Sequence, residues 1–273
     1  MGGDRYRGAV GDRITFLGHS TVLVELSGAR LLTDPVLRSR VLHLRRHGAA
    51  PAPEALRSLD GILISHLHGD HFDPPSLRLL DRATPVLVPR GAGPATRALG
   101  FTTVHELDAG QVVELAGVPV RAVPADHDER RWPRVGPTAT PLGFVAGGER
   151  RVYFAGDTDV FDEMRVIGEA GVDVALLPVW GWGPTLGPGH MDPARAARAA
   201  ALLAPRIAVP IHWGTLYPIG VHRVRPKALA LPPRTFAART AELAPAVDVR
   251  ILRPGEALEI DAVTPASPPA PRR

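Results

Sequence analysis

The chain has 273 residues and a mass of 29.1 kDa, with 45% hydrophobic and 22% charged residues, the balance of an ordinary globular protein of one or two domains. It has no cysteine, which excludes thiol nucleophiles, Cys-ligated zinc, iron–sulfur clusters and disulfide frameworks. The net charge of +4 is too small for the footprint of a nucleic-acid binder, and the pI of about 10.2 reflects basic charge carried by Arg, Lys227 being the only lysine. No run of ~18 apolar residues is present to span a membrane. The polar, Gly-rich residues 1–12 lack a secretory signal pattern, so a cytoplasmic location is expected.

In chain order, residues 1–12 read as a loose lead-in to a single domain over 13–262. Apolar patterning predicts strands over 13–17, 21–26, 30–33 and 61–65. Asp73 followed by Pro74 is an N-cap with Pro at the first helical position, which opens a helix to about residue 82. Strands follow over 85–88, 103–107, 111–115 and 118–123, and a hairpin through Gly147-Gly148 joins 142–146 to 151–155. Asp159 is expected to cap a helix reaching about 170, before a buried strand at 172–177. Asp192-Pro193 opens an Ala-rich helix to 204, then come a strand at 207–211, a helix at 235–243 and strands at 247–252 and 257–260. The Pro-dense residues 264–273 read as a disordered tail. A strand meander gives way to alternating strands and helices, and this happens twice. The order predicts an α/β sandwich of two mixed sheets with helices outside.

The chemistry concentrates in Ser65-His66-Leu67-His68-Gly69-Asp70-His71, between a predicted buried strand and a capped helix. Imidazole and carboxylate together suit zinc and similar divalent ions. Gly69 is expected to let the loop turn tightly. One loop cannot easily aim four side chains at a single ion, so a split is expected, with His66 and His68 facing one ion and Asp70 and His71 another. Three more polar residues end apolar runs: His127, Asp157 and His212. Each alone has an ordinary reading as a turn or a satisfied polar group. Together with the HLHGDH loop their number and order are unlike chance.

HLHGDH, an isolated His, a Gly-Asp pair and a final His resemble the metallo-β-lactamase superfamily. The resemblance implies a four-layer αββα sandwich and two zinc ions. Carried over by position, it implies His66, His68 and His127 around the first ion. It implies Asp70, His71 and His212 around the second, and Asp157 between the two. N and O donors also accept Mn or Fe. Further stretches, LGHST at 17–21, TDP at 33–35, GHMDP at 189–193 and IHWGT at 211–215, resemble the branch holding N-acyl-phosphatidylethanolamine phospholipase D and ascorbate-6-phosphate lactonase.

Two divalent ions ~3.5–4 Å apart can share a water and lower its pKa towards ~7, giving a hydroxide that attacks an electrophilic C=O or P–O centre. Asp70 is expected to ligate and to orient that hydroxide. His190, before the cap of a helix, is expected to contact substrate or protonate the leaving group. His19 and Asp34 are read as partners behind the ligands. Arg130, Arg131 and Arg134 follow His127, and guanidinium forks suit phosphate or carboxylate. Trp180 and Trp182 offer apolar faces for a pocket. His43, His47, His105 and His222 are read as surface residues. The expected activity is hydrolysis of a small or lipid-like phosphodiester or a phosphorylated lactone. The alternatives are a lactonase or carboxylic-ester hydrolase, and a mononuclear iron oxidoreductase on the same scaffold.

Overall fold

A computed structural model describes residues 11–129, 138–181 and 187–260. Two seven-stranded sheets face each other. In the first, the spatial order is Ala257–Glu259, Arg13–Gly18, Thr21–Leu26, Ala29–Thr33, Gly61–Leu63, Val86–Pro89 and Val104–Leu107. In the second it is Asp248–Val249, Ile207–Ile211, Val174–Pro178, Val152–Phe154, Leu142–Ala146, Val118–Pro124 and Val112–Leu115. Each sheet is antiparallel in its meander and parallel where helices intervene. These are the two mixed sheets expected from the order of elements, and the fold is metallo-β-lactamase-like.

The period of two along a strand sorts side chains between layers. In Thr21–Leu26, Val22, Val24 and Leu26 enter the core between the sheets. Leu23 points the other way, with Leu32, Ile62 and Ile64, and packs with Leu77 and Leu80. The second sheet is covered on its outer face by the helices Met164–Glu169, Pro193–Leu203 and Leu231–Leu243. Its strands Val174–Pro178 and Ile207–Ile211 are therefore buried throughout, and read as unbroken apolar runs. The Ala-rich helix buries Ala196, Ala197, Ala199 and Ala200, small enough for close approach to its neighbours.

Tyr153 lies wholly within this core, and its hydroxyl has no hydrogen-bond partner. Burial pushes its pKa well above the usual tyrosine range. An unpaired buried hydroxyl costs about 1–3 kcal/mol. Tyr153→Phe is thus expected to raise the unfolding free energy by about 1 kcal/mol, read as a higher urea midpoint at unchanged slope. A lower midpoint would show that the hydroxyl is satisfied.

Several boundaries differ from expectation. The helix opened by Asp73 covers only Pro74–Leu77. Past its end the Leu80 amide turns back to the Leu77 carbonyl, and the Arg82 guanidinium donates to the carbonyls of Leu77, Arg78 and Leu80. Asp159 does not cap a helix: its carboxylate binds the Val160 amide and Arg195, and the helix starts at Met164 without a side-chain cap. The helix at 235–243 begins earlier, at Leu231, with Pro in its first turn. Asp12 is not loose, since its carboxylate accepts from the Ser27 amide and its carbonyl from Ile260. A small sheet of Leu216–Pro218, Leu44–Arg46 and Arg40–Val41 was not expected, because strands of two or three residues leave no readable period. The tail at 264–273 lies outside the described residues.

Candidate metal centre

The centre forms where strands of both sheets end. His19, Asp34 and the HLHGDH loop follow strands of the first sheet; His127, Asp157 and His212 follow strands of the second. A buried strand is a rigid base, and its carboxyl end delivers the next side chains to the sheet rim. The loop turns through amides of His71 and Phe72 that both donate to the His68 carbonyl. Gly69 has no left-handed φ, and an added Cβ would only touch Leu42 at 3.4 Å, so the tight turn expected of it is not its role. Gly156 and Gly189 are the glycines the centre requires. Their φ values are +63° and +77°, and an added Cβ would lie 2.5 Å from Ser65 Cβ and 2.9 Å from His127 Cα respectively.

Two groups of donors converge. In one, His68 Nδ1 lies 3.0 Å from His66 Nε2 and 2.9 Å from His127 Nε2. In the other, Asp157 Oδ2 lies 3.2 Å from both His71 Nε2 and His212 Nε2, and Asp70 Oδ2 lies 4.0 and 3.8 Å from the same nitrogens. Asp157 also groups with His127 and His190, which links it to the first cluster. Asp157 Oδ1 is buried and has no partner.

The far nitrogens fix the tautomers. His127 Nδ1 donates to the Gly189 carbonyl at 2.7 Å and His212 Nδ1 to the Trp180 carbonyl at 2.6 Å. His71 Nδ1 donates to Asp34 Oδ2 at 2.6 Å. His66 Nδ1 meets Ser65 Oγ at 2.9 Å, and that hydroxyl donates to Asp34 Oδ2 at 2.6 Å. Neutral imidazoles so held turn their Nε2 lone pairs inward. Lone pairs facing each other at ~3 Å are repulsive unless a cation stands between them. These facing donors and the orphaned Asp157 oxygen fit divalent ions with N and O ligands.

The electrostatics agree. Burial, then the neighbouring imidazoles, push His66 well below the usual histidine range, and burial pushes His127 down to about 4. Both offer unprotonated nitrogen. For His71 and His212 burial also opposes the charged form, but Asp157 beside both and Asp34 beside His71 outweigh it and raise them. Asp70 is held below the usual carboxylate range: burial opposes this, and the His19 hydrogen bond with the nearby imidazoles prevails. The carboxylates demand positive charge at this spot, which a cation supplies in place of protons.

His19 Nε2 is 3.1 Å from Asp70 Oδ2, and its ring lies 3.9 Å from that of His212. Its ring nitrogen groups with Asp70, His71 and His212 closely enough to be a donor itself. His19, Asp34 and His212 have φ of +58°, +30° and +61°, strained for side-chain-bearing residues. Backbone bonds hold them: the His212 amide to the His19 carbonyl, the His19 amide to Thr215 Oγ1, and the Asp34 amide to the Leu63 carbonyl. His190 is part-exposed at the mouth, with Nε2 3.6 Å from Asp157 Oδ2. Arg130, Arg131, Arg134 and Trp182 lie outside the described residues. His47 and His222 are half-buried, with ring centroids 4.8 Å apart, and are not simply surface groups. The sequence assigns Ser65 no role of its own, although it immediately precedes His66. The Gly189 and Trp180 carbonyls left no sequence signal, since any residue supplies one.

The described beta-lactamase superfamily domain matches residues 29–213. A UPF0173 metal-dependent hydrolase of Methanopyrus kandleri is 35% identical over 252 residues, covering 90% of this chain and 99% of the relative. The chain belongs to the metallo-β-lactamase superfamily, in the UPF0173 family of metal-dependent hydrolases. Among solved structures, Igni18, a metallo hydrolase of Ignicoccus hospitalis, has a TM-score of 0.67 at 26% identity, covering 91% of this chain and 98% of that one. CmlA, a diiron β-hydroxylase of Streptomyces venezuelae, shares the fold with a TM-score of 0.68 at 19% identity, covering 92% of this chain and 55% of that one. The superfamily fold thus hosts more than one chemistry, and for this member the family is hydrolytic.

Proposed function

We propose that this UPF0173 member is a dinuclear metallohydrolase acting on a small or lipid-like phosphodiester or phosphorylated lactone. His66, His68 and His127 would hold one divalent ion, and Asp70, His71 and His212 the other. Asp157 would touch both, and zinc is the metal favoured by the donor set. The observation that carries this reading is the convergence of two donor groups on one carboxylate whose second oxygen is buried without a partner. When bound, such a pair of ions supplies Lewis acidity and a deprotonated water for attack on P–O or C=O.

The chain's residues do the rest. Asp70, fixed by His19 Nε2 at 3.1 Å, keeps its carboxylate ionised and aimed at the second group, where it can orient the attacking water. His190 stands at the mouth, where a leaving group departs, and hands it a proton. Its Nδ1 lies 3.2 Å from the Gly187 and Pro188 carbonyls, which leaves Nε2 towards the centre. Arg130 and Arg131 follow His127 closely in sequence and would pair with the substrate's phosphate, with Trp182 contributing an apolar wall. The arginines that follow His127 in the sequence give a phosphorylated substrate its edge over a neutral ester.

Metal analysis with a substrate panel tests this. Two equivalents of metal per chain are expected, with hydrolysis of bis-p-nitrophenyl phosphate that stops on chelation and returns with zinc or manganese. Arg130→Ala/Arg131→Ala is expected to raise KM for the diester about tenfold or more and to spare neutral lactones. Turnover of lactones alone would favour the carboxylic-ester reading. A single iron with oxygen consumption would overturn hydrolysis by paired ions.

A further inference from the structure

Beside the metal loop stands a unit of surface that the hydrolytic reading does not use. The hairpin of Arg40–Val41 and Leu44–Arg46 pairs with Leu216–Pro218, and the Ile219 amide donates to the His43 carbonyl. The segment after it is tied to the hairpin by the His47–His222 ring contact. This unit exposes five cations: Arg40, Arg45, Arg223, Arg225 and Lys227. No Asp or Glu occurs anywhere in residues 35–53 or 214–241. Among the described residues none of the five is ion-paired; Arg40 binds only the carbonyl of Leu42.

The same unit exposes apolar side chains. Leu42, Ile219 and Val224 are 57%, 51% and 78% exposed. Leu42 occupies the tip of the two-residue hairpin turn at φ +50°, where Gly or Asn is the unstrained choice. A leucine there costs backbone strain and gains little burial within this chain. Exposed apolar side chains on turns, carried by the same unit as these cations, are complementary to one environment in particular. That is the interface of an anionic bilayer, where the tips enter the acyl boundary and the cations meet phosphate headgroups.

We propose that this unit docks the protein on anionic lipid surfaces, next to the mouth of the metal centre. The inference does not depend on which substrate the centre hydrolyses. A second copy of the chain is a poor occupant, because a two-fold contact would set these cations against each other. Nucleic acid would use the cations but would leave Val224 and Ile219 without apolar contact.

Vesicle flotation of the metal-loaded protein tests the proposal. Binding is expected to vesicles of equal parts phosphatidylcholine and phosphatidylglycerol, not to phosphatidylcholine alone, and should weaken with added salt. Each cation near such a surface is worth about fivefold in affinity, so Arg223→Ala/Arg225→Ala/Lys227→Ala should lose about 100-fold. Val224→Asp should lose about tenfold or more through its apolar contact. All these positions are exposed, so far-UV dichroism and metal content should match the parent and show that the variants fold. No flotation of the parent, equal binding to neutral vesicles, full binding by the triple variant, or tighter binding to a short oligonucleotide would each overturn it.

Discussion

Asp157→Ala is expected to abolish both metal occupancy and turnover while leaving far-UV dichroism unchanged. Asp157 Oδ2 lies 3.2 Å from His71 Nε2 and His212 Nε2, and the same carboxylate groups with His127 and His190. Asp34 also groups with a histidine of each set, His66 and His71, but it meets the His71 ring from behind, at Nδ1, whereas Asp157 faces the inward Nε2 atoms. The loss of Asp157 removes the anion that compensates a cation at either position. The fall in turnover should exceed the 10–100-fold typical of losing a partner that only stands behind a ligand. Secondary structure should persist, because Asp157 follows the strand Val152–Phe154 and contributes to no ladder. His66→Ala should behave alike through the first group, retaining at most the second ion. Full occupancy and activity in Asp157→Ala would remove the basis for a paired-ion centre.

Much of this was legible in the sequence because its residues have no cheaper use. Three histidines and an aspartate in the loop 66–71, and polar residues ending the apolar runs before 127, 157 and 212, are conspicuous by type and position. The second sheet was legible for the same reason, since Val174–Pro178 and Ile207–Ile211 are apolar throughout. What could not be read depends on contacts between distant residues. Arg82 donates to the carbonyls at the end of a short helix, and Arg195 draws Asp159 away from the cap its sequence context suggests. The small sheet joins residues 40–46 to 216–218, a pairing that no local pattern announces. At the centre, Asp34 in TDP is expected behind the ligands, but the sequence does not say which of them it meets. Only the fold brings it against both Ser65 and His71.

That placement makes Asp34→Asn the second variant with a large expected effect. The carboxylate is fully buried. Its Oδ1 accepts from the Ser65 amide at 2.7 Å, and its Oδ2 accepts from Ser65 Oγ and His71 Nδ1, each at 2.6 Å. Every partner is a donor, so the amide NH2 of Asn would face at least one of them and leave buried donors opposed, at about 1–3 kcal/mol. His71 would lose the acceptor that holds its tautomer, and the Ser65 hydroxyl would lose its hold beneath His66 Nδ1. One carboxylate therefore orients a ligand in each donor group, and both metal equivalents should weaken by about 10–100-fold. Ser65→Ala separates the two arms, because it removes the acceptor of His66 and leaves the Asp34–His71 bond in place. Chelator-competition titration should show two weakened equivalents for Asp34→Asn and one for Ser65→Ala, with the first donor group the one affected. An Asp34→Asn protein that weakens a single equivalent, or a Ser65→Ala protein that weakens both equally, would break the shared-carboxylate link between the two groups.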